Sequence, residues 1–203
     1  MVPDDYDRIQ DAIDAANPED IIFVKAGTYY ENVVVHKSLS LIGEGKETTV
    51  IDGRYSGKVV EISADQVIIA GFSVRNSGSN WWSEDGGIIL DGVSFCGIYN
   101  NLLTNNLFGI RLVDSCNNVI ADNVDINNTY GIYVGSGAFI TGCSTNNLII
   151  GNIVEKNRFG VELAYHSANN TLRQNIMSLI HITLEYQAST SRISFITLTP
   201  QTK

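Results

Sequence analysis

Two adjacent tryptophans, Trp81 and Trp82, are followed closely by Glu84 and Asp85 in a stretch otherwise made of Ser, Gly and Asn. Flat aromatic faces beside carboxylates suit a sugar, because the ring stacks while the acid accepts hydrogen bonds from hydroxyls. Further along, Arg111, Tyr133 and Glu162 hold the same place in three similar segments: Phe-Gly-Ile-Arg-Leu, Tyr-Gly-Ile-Tyr-Val and Phe-Gly-Val-Glu-Leu. A guanidinium there can pair with an anionic sugar, with Tyr133 below the ring and Glu84 or Glu162 reaching hydroxyls. The sequence therefore nominates Trp81, Trp82, Glu84, Arg111, Tyr133 and Glu162 as one carbohydrate-binding surface. In this reading Trp81 or Trp82 walls a cleft whose floor is Arg111 and Tyr133. The structural alternative is a Trp folded back onto the flank of the chain to pin its own loop.

The elements that position these residues come from a repeat. Segments 101–112, 123–134 and 152–163 each open on Asn and carry an aromatic-Gly pair, with Gly109, Gly131 and Gly160 all eight residues on. A period near 22 residues, built of short aliphatic runs, is the signature of a solenoid. Within each copy apolar and variable positions alternate, as in a strand with one buried face. Ile110/Leu112, Ile132/Val134 and Val161/Leu163 are expected inside, and Arg111, Tyr133 and Glu162 outside. The period leaves no room for crossover helices, so the fold class is all-β: a single-stranded, right-handed parallel β-helix. Asn both donates and accepts, so equivalent Asn residues can bond from coil to coil. The expected ladders are Asn101/Asn123/Asn152/Asn175 and Asn106/Asn128/Asn157, with Phe108, Tyr130 and Phe159 stacked beside the second. The glycines suit turns with positive φ.

Before the repeats, residues 7–16 place Ile9, Ala12, Ile13 and Ala16 on one face of a short helix that caps the first coil. Short strands then follow one another to Val74. Gly71 is taken to hold the position of the leading Asn, so the steps to Asn101, Asn123, Asn152 and Asn175 are 30, 22, 29 and 23. The two long steps mark insertions at 77–85 and 136–144, and insertions in such arrays become loops. The β-helix domain is drawn as 1–175. After Asn175 the Asn and Gly signals cease, so 176–203 is expected to be an irregular segment or cap.

The totals narrow the function classes. With 13 Lys and Arg against 22 Asp and Glu, the net charge of −9 argues against nucleic acid as a partner. No run is long enough to span a membrane. The polar opening Met-Val-Pro-Asp-Asp is not a leader peptide. Cys96, Cys116 and Cys143 lack metal spacing and read as small apolar fillers. Asn127-Asn-Thr and Asn169-Asn-Thr fit the glycosylation tripeptide, which Asn-rich turns also generate by chance.

Several of these segments resemble a known family. Ile9-Gln-Asp-Ala-Ile-Asp-Ala-Ala, Ile22-Phe-Val-Lys-Ala-Gly-Thr-Tyr-Tyr-Glu-Asn-Val, Leu41-Ile-Gly-Glu-Gly and Thr49-Val-Ile-Asp-Gly resemble the opening of pectin methylesterases. Together with residues 65–76 and the later Asn-Asn…Gly-Ile units, they look more like NosD-type surface proteins of the pectin-lyase-like superfamily. The resemblance covers roughly residues 4–175 and implies an extracellular, cell-surface or periplasmic β-helix. The esterase pattern is not matched: the corresponding stretch reads Gly-Gly-Ile-Ile-Leu-Asp-Gly without the family's Gln motif. Asp122 and Asp125 are the nearest approach to a polygalacturonase acid–base pair, in unmatched surroundings. A lyase would need carboxylates holding calcium beside a basic group, for which Asp91, Asp114 and Arg111 are the candidates. Copper, implied by the NosD name, would need convergent ligands, whereas His36, His166 and His181 are scattered. The sequence reading is thus a binding or structural surface module without a cofactor, its partner a polysaccharide or cell-surface glycan. The alternative is a lyase or glycoside hydrolase acting on acidic polysaccharide.

Overall fold

The computed structural model describes residues 1–136, 142, 144–164, 166–178 and 192–197. Its strands are mostly three to six residues long and pair in parallel throughout, coil upon coil. Ile110 is in register with Ile88 on one side and Ile132 on the other, and Ile132 with Val161. These four side chains are buried in one aliphatic row. A row of this kind forms because alternate residues point inward and each coil needs the next to cover it. One sheet has fourteen strands, thirteen on a path that bends around a corner and one, Arg192–Thr197, off it; a second has six, running from Val33–Val35 to Phe159–Leu163.

Corners are held by asparagine. Asn101 donates its backbone N–H to Asn123 Oδ1 at 2.9 Å, and Asn123 donates likewise to Asn152, and Asn152 to Asn175. Each side-chain amide also donates to the next Asn and back to a carbonyl of the preceding coil, as Asn123 does to Ile98. These buried groups are therefore satisfied without water. Asn106, Asn128 and Asn157 form a second column in the same way. A third column, Asn118, Asn147 and Asn170, was not anticipated. Its signal was available, since the steps of 29 and 23 repeat those from Asn123 to Asn152 to Asn175.

Two expectations are corrected here. The residue aligned with the head of the first ladder is Phe72, whose N–H donates to Asn101 Oδ1, and not Gly71; the first step is 29. Nor do Gly109 and Gly131 serve positive φ. At Gly131 a Cβ would lie 2.7 Å from the Gly160 carbonyl oxygen and 2.9 Å from Asn157 Nδ2, so the glycine makes room for the next coil. The left-handed turn positions are taken by Asn100, Asn105, Asn117 and Asn127, each just before a ladder Asn. Asn tolerates that region better than most side chains do.

Helix α1, Ile9–Ala15, buries Ile9, Ala12 and Ile13 over the first coil. The first coil caps both its ends. Glu31 accepts from the N–H groups of Ile9 and Gln10, while Lys37 Nζ donates to the carbonyls of Ile13, Asp14 and Ala16. Each end thus receives the charge that its unpaired backbone groups favour. At the other end, the boundary expected at Asn175 falls inside a strand, Thr171–Ser178, which pairs with both Leu148–Ile150 and Ile153–Glu155. Arg192–Thr197 then pairs with it in parallel. An inward row at Ile180 and Ile182, which would continue the stack in place of an irregular tail, lies outside the described residues.

Candidate functional site

The residues nominated from sequence are brought together, and then covered. Arg111, Tyr133 and Glu162 do leave the coil on its outer side, in register on the six-stranded sheet. Residues 77–85 curl over that row. The loop is closed by its own bonds: Asn80 N–H to Asp85 Oδ2, Trp82 N–H to Asn80 Oδ1, and Glu84 N–H to the Trp81 carbonyl. Trp81 turns inward, its ring 4.9 Å from that of Phe108, 5.3 Å from Tyr130 and 5.8 Å from Tyr133. Arg111 is enclosed among these rings, 4.5 Å above Phe108, and ion-pairs with Glu84 at 3.2 Å. Its Nε and Nη1 have no hydrogen-bond partner. Burial pushes the guanidinium pKa down, opposed by the nearby Glu84 carboxylate.

The expected cleft floor is therefore closed: Arg111 is 3% exposed and Tyr133 7%. The cause is the insertion itself. Trp81, Phe108, Tyr133 and Ile89 make a second apolar cluster outside the main core, and a sugar ring has no way in between them. Trp82 points the other way and is 79% exposed. Phe108, Tyr130 and Phe159 stack as anticipated, with centroids 5.0 and 4.6 Å apart, and the last two are only half-buried.

Beside this face a groove of about 780 Å³ runs along the second Asn corner across three coils. The ladder residues Asn106, Asn128 and Asn157 lie along its floor; Lys156 and Arg158, both exposed, stand at one end. Arg158 also lies over the Phe159 ring at 5.2 Å, joining the groove to the half-buried aromatic stack. At the other end is Tyr55, 73% exposed. Tyr55 and its neighbour Arg54 both have left-handed backbones, with φ of 60° and 52°. Two such residues in succession are strained unless their surroundings hold them. Asp52 does so, accepting from the Arg54 N–H, from Arg75 Nε and from Asn76 Nδ2. Burial pushes the Asp52 carboxyl up, but the bonds from Asn76, Arg54 and Arg75 outweigh it and hold it below the ordinary range. Tyr55 and the groove were not found from sequence. A reader looking for sugar-binding residues sees Trp-Trp first, and the Asn-rich turns read only as scaffold.

The remaining candidates stay apart. Asp91 and Asp114 contribute to the field at Arg111, yet the carboxylate paired with it is Glu84. Among the described residues, no three His, Cys, Asp or Glu side chains converge as metal ligands would. His36 and His166 are exposed, and His181 lies outside the described residues, as does Cys143. Asp122 is exposed, whereas Asp125 is buried inside the solenoid, so the two do not form an acid–base pair on one surface. Asp125 sits in register between Leu103 and Val154, with no partner on either oxygen, and burial raises its pKa well above the ordinary value. Among the described residues no helix is long and apolar enough to cross a membrane.

Comparison with known proteins agrees with this architecture. A cell surface glycoprotein of Methanothermus fervidus is 37% identical over 103 residues, covering 49% of this chain and 16% of its own length. The chain thus corresponds to about a sixth of that relative. Among solved structures, an alginate lyase from Paenibacillus sp. superimposes with a TM-score of 0.68 at 18% identity, over 86% of this chain and 64% of the lyase. Pectin methylesterase PemA from Erwinia chrysanthemi gives 0.45 at 13% identity, over 87% and 77%. At 18% identity the likeness to the lyase is one of fold. Residues 24–177 match the model of the right handed beta helix region, and the chain belongs to that family.

Proposed function

We propose that this chain is a non-catalytic surface module that binds an acidic polysaccharide in the groove along the Asn106/Asn128/Asn157 corner. The observation that carries this reading is the groove's composition. Lys156 and Arg158 stand at one end in a protein of net charge −9, and an aromatic ring held out by strained backbone stands at the other. Cations pair with uronate carboxylates or sulfates, and the exposed Tyr55 ring gives a stacking face. The floor repeats once per coil, at about 4.8 Å, so equivalent contacts recur along an extended chain of sugars. Of the residues nominated from sequence, Trp82 and Glu162 do not line this groove. Trp81, Glu84, Arg111 and Tyr133 instead hold the loop that bounds it. The relative that is a cell surface glycoprotein and the lyase of like fold are consistent with a protein placed among cell-surface glycans.

The test is affinity electrophoresis through gels containing alginate, pectate or a neutral glucan. The wild-type protein is expected to be retarded by an acidic polymer, with salt weakening the effect. Replacing Lys156 and Arg158 together by Ala should weaken retention roughly tenfold, about 1.4 kcal/mol, and Tyr55→Ala should weaken it less. Retention unchanged in both variants would remove the groove from consideration.

A further inference from the structure

We propose that a second copy of this chain docks on the outer face of the fourteen-stranded sheet, with the two solenoids antiparallel. This inference does not rest on the glycan reading and uses a different surface.

Seven strands, from Ile21–Val24 to Thr171–Ser178, lie side by side in register along this face. Their inward residues fill the core, and their outward residues form two columns. One runs from Ile21 through Ile68 to Leu148, the other from Phe23 through Tyr99 to Ile150 and Arg173. No outward position carries a charge before Arg173, in a chain where 35 residues are Asp, Glu, Lys or Arg. Ile21 is 73% exposed, and Phe23, Ile68 and Phe95 are exposed as well. Phe95 is held outward by a left-handed backbone, φ 61°, beside the strand that carries Tyr99. A continuous apolar strip of this kind on an otherwise charged surface marks a place for a partner.

Charge selects both the occupant and its orientation. Two molecules of net charge −9 repel one another, and least where they meet through an uncharged strip. The strip has unlike ends. Arg173 is exposed toward the C-terminal end; at the other, Glu44 and Glu47 are exposed after the second strand, while the neighbouring Lys25 is paired with Asp4 and Lys46 donates to Asn100. A two-fold axis along the strands reverses the solenoid and keeps the column of Phe23 and Ile42, which sets each Arg173 beside the partner's Glu44, whereas a parallel arrangement would place Arg173 against Arg173. The interface is isologous and closes at two copies. Its area bounds its strength. Arg192–Thr197 pairs with Thr171–Ser178 as an eighth strand, and seven spacings of about 4.8 Å give a strip about 34 Å long and, at three to four residues, about 10–13 Å wide. That is roughly half of the 800 Å² per partner of a standard interface, so the dimer is weak and reversible.

Sedimentation velocity and light scattering over about 1 μM to 1 mM test this. The wild-type mass should rise from that of one chain to that of two. Ile68→Glu should raise the dissociation constant at least tenfold, with the circular dichroism unchanged because the side chain is outside the core. Arg173→Glu, a surface change that leaves packing alone, should also weaken the dimer, and Glu44→Lys combined with it should restore part of the loss. A monomer at every concentration overturns the proposal, as does a mass that grows beyond two chains. Dimerisation of Ile68→Glu equal to wild type removes this face, and a double variant no better than Arg173→Glu removes the antiparallel arrangement.

Discussion

The covered row of the six-stranded sheet and the open corner groove lie only a few residues apart in each repeat, yet they have opposite fates. Arg111 and Tyr133 have the side chains a sugar site needs, and an insertion seals them under Trp81. Asn106, Asn128 and Asn157 are as buried as Arg111 and serve as scaffold, while Asn105, Asn127, Lys156 and Arg158 around them leave the corner open. Side-chain chemistry says what a residue could do in a solenoid; the neighbouring loop decides whether solvent reaches it. On the covered row the aromatic and charged groups contribute packing. Along the groove Asn105, Asn127 and Lys156, each just before a ladder Asn, face the solvent, as does Arg158.

The largest effect that would sharpen this contrast is expected at the groove floor. Asn128 Oδ1 accepts from the Asn106 N–H, and Asn128 Nδ2 donates to the Leu103 carbonyl. Asn128→Ala leaves both unpaired in a buried corner, which costs about 3 kcal/mol, read from urea denaturation. Asn127→Gly, one residue earlier, exposed and compatible with the left-handed backbone there, should cost no more than about 0.5 kcal/mol. On the covered row, Trp81→Ala should cost about 2 kcal/mol, less than a core aromatic because the ring is only half-buried. The same change should open Arg111 to solvent, which shows as faster amide exchange in residues 77–85. A Trp81→Ala variant as stable as wild type would break the account of that face.

Asp125 offers a change of opposite sign. Below the ordinary carboxylate range the side chain is protonated both folded and unfolded, and its titration leaves stability alone. As pH rises, the unfolded chain ionises first while burial keeps the folded carboxyl protonated. Stability therefore falls with pH, by up to about 1.4 kcal/mol per unit, until the folded group ionises too. Asp125→Val, which copies Val154 in the same row, should stabilise the protein by about 2 kcal/mol at neutral pH and flatten this slope. Equal stability of the two proteins at pH 7 would contradict the buried, unpaired state. The smallest effect is expected at Trp82→Ala, within about 0.5 kcal/mol, because the ring is exposed.

The solenoid was legible because its cause is periodic. Alternating Ile, Val and Leu, with Asn at a fixed offset, can satisfy both burial and corner hydrogen bonds in only one stacking. Gly131 was legible as a special position but not for the right reason, since closeness to the next coil's carbonyl leaves no mark in one repeat. The fate of Arg111 was hidden for a similar reason. Its cover is built from Trp81 and Glu84, about one coil earlier, in a loop whose path depends on its own Asn80–Asp85 bonds. Tyr55 was hidden because its backbone is unusual in a way that its sequence, Asp-Gly-Arg-Tyr-Ser-Gly, does not announce. The strand Arg192–Thr197 lacks Asn and Gly signals and still pairs in parallel, since backbone pairing does not need the ladder.

The central claim is that the open corner, and not the Trp81 face, receives a glycan. The most direct measurement is a titration of isotope-labelled protein with an acidic oligosaccharide of several units, followed through backbone amide shifts. The account predicts saturable shifts at Tyr55, Asn105, Asn127, Lys156 and Arg158, with those of Arg111 and Tyr133 unmoved. Shifts confined to Trp82 and its loop, or none at saturating ligand, would contradict it.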